Sequence, residues 1–410
     1  MTSFWDNLPQ PFFILAPMEA VTDVVFRHVV KQAGAPDVFF TEFANATGWV
    51  HAGDKAIAGR LVKTNDEHPL VAQIWGGEPG DMEQFATHCA KLGFDGIDIN
   101  MGCPAKSAIK SGGAALIRQP DVAVAAIAAA KTAGLPVSVK TRLGYSRVDE
   151  WKEWLGTLLA QDLANLTIHL RTKKEMSKVP AHYELIDDII KLRDEIAPQT
   201  LLTINGDIRN RVHGEELFRA HPGLNGIMIG RGIFSDPFCF RASRAVSQKK
   251  SGLALAGPGL FYDDIREMGN KYAKLETVEH SRGADVSAER SRSISSGDAS
   301  EKSTPEKERG AGGGFSDDVR GVSETTRKEY SEEVKIPITN HKQELIKLLN
   351  YHLDLFDHYQ PTLGRPFETL KRFFKIYIRD FDGAKELREK LMHTKNISEA
   401  RQILEEIQYL

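Results

Sequence analysis

The chain has 410 residues, 41% hydrophobic and 27% charged, with a formal net charge of −3. That length supplies one large domain with a smaller one or several ordinary domains, and the near-neutral balance excludes a globally basic nucleic-acid binder and a disordered polyanion, so any RNA contact has to come from a local patch. Three scattered cysteines (Cys89, Cys103, Cys239) predict neither a disulfide framework nor a metal site, and no segment reaches the roughly 20 apolar residues that span a bilayer or carries a signal-peptide pattern, so a cytoplasmic protein without a membrane partner is expected.

Up to about residue 245, short β-branched or apolar runs alternate with longer amphipathic stretches, the pattern of parallel βα units. The runs are FFILA (12 to 16), VFFTEF (38 to 43), VAQIW (71 to 75), GIDIN (96 to 100), VSVKT (137 to 141), LTIHL (166 to 170), LLTIN (201 to 205) and GIMIG (226 to 230). Segments 81 to 92, 121 to 133 and 151 to 162 have helical spacing. Eight strands with intervening helices in about 250 residues suit a closed (β/α)8 TIM barrel better than the alternative, an open doubly wound sheet.

Residues from about 276 to 335 are crowded with Ser, Gly, Glu, Lys and Arg, too polar to offset their ordering entropy by burial. The reading divides the chain into a catalytic barrel (1 to 250), a largely disordered insert (251 to 337) and a small all-α helical bundle (338 to 410), with Pro361 and Gly383 marking breaks between its helices. In residues 365 to 379, helical spacing puts Lys371, Lys375 and Arg379 on one face, with Arg365 and Arg372 nearby. This face is predicted to meet phosphates, although a basic helix face is more often simply solvated.

A barrel of this kind carries its site at the C-terminal ends of its strands. Here those ends are polar almost without exception: Pro17, Met18 and Glu19, then Gln73, then Asn100, Gly102 and Cys103, then Lys140 and Arg142, then His169 and Arg171, then Asn205, Gly206 and Asp207, and last Gly230, Arg231 and Gly232. The NGD and GRG turns after the last two strands let backbone N–H groups approach an anion, and Arg231 adds a fork of donors, which suits the phosphate end of a cofactor.

Lys140 at an inward strand position needs an anionic ligand, such as the edge of a flavin that becomes negative on reduction, or a partner such as Glu42 or Asp98. Gln73 hydrogen-bonds a flavin or fills a polar layer, and His169 is a ligand contact or a satisfied core histidine. Cys103 in NMGCPAK stands in a tight turn after the fourth strand, where its thiol serves as nucleophile or proton donor, whereas Cys89 and Cys239 read as small buried hydrophobes.

APMEAVTDVVFR, VAQIWG, DINMGCPAK with SGGAAL, VSVKTRLG, TIHLRT, INGDI and IGRG, in this order, resemble the tRNA dihydrouridine synthases of bacterial type; GRPFETLKRFFKIYIRDFDGAKELR resembles their C-terminal helical domain. The resemblance implies an oxidoreductase of the CH–CH class that reduces the C5–C6 double bond of uridine in tRNA. By the same resemblance, hydride is expected to pass from NADPH or NADH to FMN and from FMN N5 to C6. It further implies that Pro17, Met18, Gln73, Lys140, His169, Asn205, Gly206, Asp207, Gly230 and Arg231 hold FMN, that Cys103 is the general acid at C5, and that Asn100 contacts the uracil. Arg142 joins the substrate pocket, Lys371, Arg372, Lys375 and Arg379 contact tRNA, and a monomer is expected. Leu170 stands where the family usually has glycine. The alternatives are a dihydroorotate dehydrogenase-like barrel acting on a free pyrimidine and an RNA-binding barrel without catalysis.

Overall fold

A computed structural model describes residues 3–242 and 338–408, so the insert expected at 251 to 337 lies outside the described residues. Every predicted strand run carries parallel ladder pairing. In chain order the strands are β1 (Phe12–Leu15), β2 (Phe39–Phe40), β3 (Ala44–Asn45), β4 (Leu70–Trp75), β5 (Gly96–Asn100), β6 (Val137–Arg142), β7 (Asn165–His169), β8 (Leu201–Asn205) and β9 (Gly226–Ile229). Eight are ordered β1-β9-β8-β7-β6-β5-β4-β2, with β3 pairing only the upper end of β4. The ring closes at β1, where Val38 N–H donates to the Phe13 carbonyl at 3.1 Å and Leu15 N–H to the Val38 carbonyl at 3.3 Å. An open sheet would leave these as its two edges, so the closure decides for the (β/α)8 barrel.

β2 is shorter than the predicted 38 to 43 run because the ladder is replaced beyond Phe40. Gln73 N–H donates to the Thr41 hydroxyl at 3.0 Å instead of to a strand carbonyl. Side-chain alternation then sorts the interior. Phe12, Ile14, Val38, Phe40, Val71 and Met228 fill the barrel floor, which Trp5 covers from below. Gly226 makes room for this layer, since a Cβ there would stand 2.1 Å from the Phe12 ring. The layer above is polar, and it holds Gln73, Asp98, Asn100, Lys140, Thr167 and Thr203.

The covering helices are α1 (Val24–Gly34), α2 (Pro79–Lys91), α3 (Pro120–Lys131), α4 (Trp151–Leu159), α5 (Ile186–Ile196) and α6 (Arg211–Ala220). Pro79 and Pro120 occupy first-turn positions, where their missing N–H costs nothing. Asp23 caps α1 by accepting from Phe26 N–H at 2.9 Å, and Asn210 caps α6 through His213 N–H at 3.0 Å, each contributing about 1 kcal/mol.

The C-terminal region is helical, with α7 (Ile338–Leu363), one-turn helices at Glu368–Lys371 and Phe374–Tyr377, α8 (Ala384–His393) and α9 (Ile397–Gln408). Pro361 does not break α7 as the sequence suggests. It lies in the last turn, and the helix ends at Gly364, whose left-handed φ of +61 is the conformation glycine adopts most easily. These helices share a core with α1: the Phe26 ring lies 5.0 Å from Phe373 and 6.1 Å from His352, whose imidazole is bonded to the Tyr377 hydroxyl at 2.7 Å. No helix among the described residues is long and apolar enough to cross a membrane.

Candidate active site

A chain of hydrogen bonds climbs from the barrel interior to the Cys103 loop. The Asp98 carboxylate accepts from Gln73 Nε2 and from Ser138 Oγ, both at 2.7 Å. Burial pushes its carboxyl up to about 6 against the pull of those two bonds. Gln73 Oε1 accepts from Asn100 Nδ2 at 3.1 Å, and Asn100 Oδ1 accepts the backbone N–H groups of Gly102 (3.1 Å) and Cys103 (2.9 Å). Asn100 thereby sets the direction in which the loop leaves β5. The loop closes on itself where Ala114 N–H meets the Cys103 carbonyl at 3.1 Å. Gly113, at φ +56, permits this, because a Cβ would stand 3.0 Å from that carbonyl oxygen.

The Cys103 thiol is half-buried, and burial raises its pKa, opposed by the Ala105 N–H and by the charges of Lys140 and Arg142. Raised above the ordinary thiol value, it holds its proton at neutral pH, the state a general acid needs. Cys89 and Cys239 are buried in the core, with Cys89 pushed up to about 12.

Lys140 reaches the mouth from β6 with no hydrogen-bonding or ion-pair partner among the described residues. Of the two acids that might have paired with it, Asp98 is hydrogen-bonded to Gln73 and Ser138 and reaches the ammonium only through its field, and Glu42 is held by Arg365. Burial, reinforced by Arg142, lowers the ammonium to about 8. A cation in that condition gains from any anionic ligand brought beside it.

On the opposite wall Arg171 organises three groups. Its Nη1 donates to His169 Nε2 at 3.1 Å, its Nε to the Val179 carbonyl at 2.6 Å, and its Nη2 to Asp207 Oδ2. Asp207 Oδ1 also takes Arg231 Nη2 at 3.1 Å. His169 is held far below the usual imidazole pKa by burial and by the cations around it, so it is neutral. With Nε2 accepting, its proton sits on Nδ1.

These walls enclose a cavity of about 500 Å³ over the ends of β1 and β6 to β9, within the roughly 300–1,000 Å³ common for cofactor sites. Its lining contains Pro17, Met18, Lys140, His169, Asn205, Gly206, Asp207, Gly230 and Arg231, nine of the ten residues expected to hold a cofactor. The tenth, Gln73, lies wholly buried in the hydrogen-bonded chain beneath the Cys103 loop. Cys103 is not in the cavity lining, but it stands within electrostatic range of Lys140. Leu170 points away into the outer core. The backbone N–H groups of Arg231 and Gly232 find no acceptor among the described residues.

The structure redistributes the expected substrate contacts. Arg142 is buried and donates to the carbonyls of Gly102 (2.8 Å), Thr172 and Met176 (both 3.1 Å), tying two rim loops together. Lys371, Lys375 and Arg379 do not lie on one continuous helix: the segment is split into two one-turn helices, and Arg379 falls beyond the second, which ends at Tyr377. Arg379 pairs with Asp380 at 2.6 Å and donates to the Ser235 carbonyl at 2.6 Å; Lys375 and Arg372 are exposed, and Lys371 is half-buried.

Sequence reasoning missed Ser177, Arg209 and Ser235 in the cavity wall, and the organising role of Arg171. Arg171 carried a signal, a charge two residues beyond His169 at a strand end, while the others sit on loops whose course no periodicity records.

The family profile described as "Dihydrouridine synthase (Dus)" matches residues 14–281. Similar proteins include the "Probable tRNA-dihydrouridine synthase" of Staphylococcus aureus, 44% identical over 408 residues that cover 99% of this chain and 96% of that protein. The "Probable tRNA-dihydrouridine synthase 2" of Bacillus subtilis is 45% identical over 408 residues, covering 99% and 97%. A Staphylococcus epidermidis protein with the same name as the first is 43% identical over 405 residues, covering 98% and 95%.

Proposed function

Because the chain belongs to the dihydrouridine synthase family, we propose that it is a tRNA dihydrouridine synthase, an FMN- and NADPH- or NADH-dependent oxidoreductase that converts uridine in tRNA to 5,6-dihydrouridine. The observation that carries this reading is the cavity at the barrel mouth, in which eight other strand-end residues meet around Lys140, whose ammonium has no hydrogen-bonded partner among the described residues. Its donor set fits FMN. Lys140 suits the flavin edge that gains negative charge, His169 offers Nδ1–H, and Arg231, Arg209 and the free N–H groups at 231 and 232 suit a phosphate.

When bound, FMN would supply the hydride for C6 of the uracil, with a reduced nicotinamide as its source. Cys103 holds on Sγ the proton destined for C5, and burial keeps it there at neutral pH. Asn100 fixes the loop that presents this thiol through its bonds to Gly102 and Cys103 N–H, and it retains one amide N–H for the uracil. Arg142 and Arg379 hold rim loops through main-chain carbonyls. A stacked base within tRNA has to be turned out to reach this mouth. Lys371, Arg372 and Lys375 are the proposed phosphate contacts.

Incubating unmodified tRNA with the protein, FMN and NADPH, then digesting to nucleosides for mass spectrometry, tests the reading. Dihydrouridine is the expected product. Reduction of free pyrimidines in its place, or no product from FMN-loaded protein, contradicts it.

A further inference from the structure

The rim at the end of β2 is gripped from the C-terminal region. Arg365 lies between α7 and the one-turn helix Glu368–Lys371, and its guanidinium spans two barrel carboxylates: Nη1 stands 2.8 Å from Asp23 Oδ2, and Nη2 donates to Glu42 Oε2. Asp23 is the cap of α1. Glu42 lies two residues beyond β2 on the inward side of the strand, above Val38 and Phe40, and is wholly buried. Its Oε1 has no partner among the described residues. Arg372, exposed and seven positions further on, lies in the field of the same two acids.

Two buried carboxylates are a poor choice for stability alone, since an apolar pair of similar volume does as well. A planar guanidinium held by two acceptors adds direction instead, fixing the segment that carries it in one orientation. We propose that Arg365 is a positioning residue for the reaction on RNA: by clasping Asp23 and Glu42 it holds segment 365–379 at the barrel rim, where the exposed cations Arg372 and Lys375 meet substrate phosphates while the target base occupies the mouth. This inference rests on the tRNA reading above.

The test uses full-length, FMN-loaded protein, unmodified tRNA, and the variants Arg365→Gln, Arg365→Lys and the neutral triple Asp23→Asn/Glu42→Gln/Arg365→Gln, in which no buried charge is left unpaired. In Arg365→Gln, the Kd for tRNA by fluorescence anisotropy and the KM for tRNA both rise roughly tenfold, as losing one or two phosphate contacts would require. The kcat, FMN content and NADPH oxidation with an artificial acceptor stay within about twofold. Arg365→Lys recovers part of the affinity, and the triple variant repeats the rise, which keeps the test open if Arg365→Gln does not fold. An unchanged Kd in the triple variant, or a loss shared equally by kcat and FMN content, overturns the proposal. Wild-type protein that binds tRNA but forms no dihydrouridine defeats the functional reading instead, before any variant is made.

Discussion

At the end of β6, Lys140 carries an ammonium that no described residue bonds, whereas in the C-terminal segment Arg365 carries a guanidinium shared by two carboxylates and Arg379 one spent on Asp380 and the Ser235 carbonyl. Both regions were expected to offer positive charge to a ligand. The contrast separates a charge held ready from a charge already used. An unpaired cation against a low-dielectric wall is unfavourable by itself and is relieved only by a ligand, while a paired one is part of the scaffold and is lost at the scaffold's expense. By this criterion the barrel mouth is the chemical site, and the segment after α7 is first a joint, with Lys371, Arg372 and Lys375 its proposed surface for RNA.

The largest effect is expected where the site holds a proton rather than a charge. Cys103→Ala lowers kcat for dihydrouridine formation by about 10²–10⁴, the range of general-acid catalysis, with FMN content and NADPH oxidation with an artificial acceptor unchanged. Undiminished product by mass spectrometry removes the thiol from the mechanism.

Next comes the cation itself. Lys140→Met weakens FMN binding by roughly 10- to 100-fold in a fluorescence titration, as loss of a charge-assisted hydrogen bond requires. Burial lowers the free ammonium to about 8, and a flavin edge that accepts its hydrogen bond favours the charged form, so wild-type affinity for FMN falls as pH rises above 8. The slope is at most about tenfold per pH unit for one proton. Lys140→Met has no such slope, and an identical pH profile in both proteins blurs the contrast between held and used charge.

The smallest effect sharpens the other half of the comparison. Lys375→Glu weakens tRNA binding severalfold and lowers the salt dependence, the slope of log K against log salt falling by about 0.7–0.9 for one lost phosphate contact. FMN affinity stays as in the wild type. A salt slope equal to that of the wild type removes Lys375 from the surface.

The same contrast explains what could be read from the residues alone. In the barrel the strands are short and buried, so the polar residues at their ends are legible directly from the runs; the ten cofactor candidates come from the family resemblance, and nine of them line one cavity. In the C-terminal segment, placing Lys371, Lys375 and Arg379 on one face assumed an unbroken helix. The helix is instead interrupted at Arg372 and Phe373, where the Phe373 ring packs into the core beside Phe26, and it ends at Tyr377, before Arg379, with no local signature of either. The clasp of Arg365 on Glu42 joins residues 323 positions apart, and neither spacing nor composition encodes it. Pro361 misled for a related reason: a proline in the final helical turn and one that starts a break look alike until the glycine after it is seen to end the helix.

The central claim, that Lys140 is kept free for FMN, is tested most directly by labelling amines with a lysine-selective reagent at pH 8, with and without FMN, and reading each lysine by peptide mass spectrometry. The account predicts that FMN protects Lys140 while the labelling of Lys375 is unchanged. Equal labelling of Lys140 in the two conditions would contradict it.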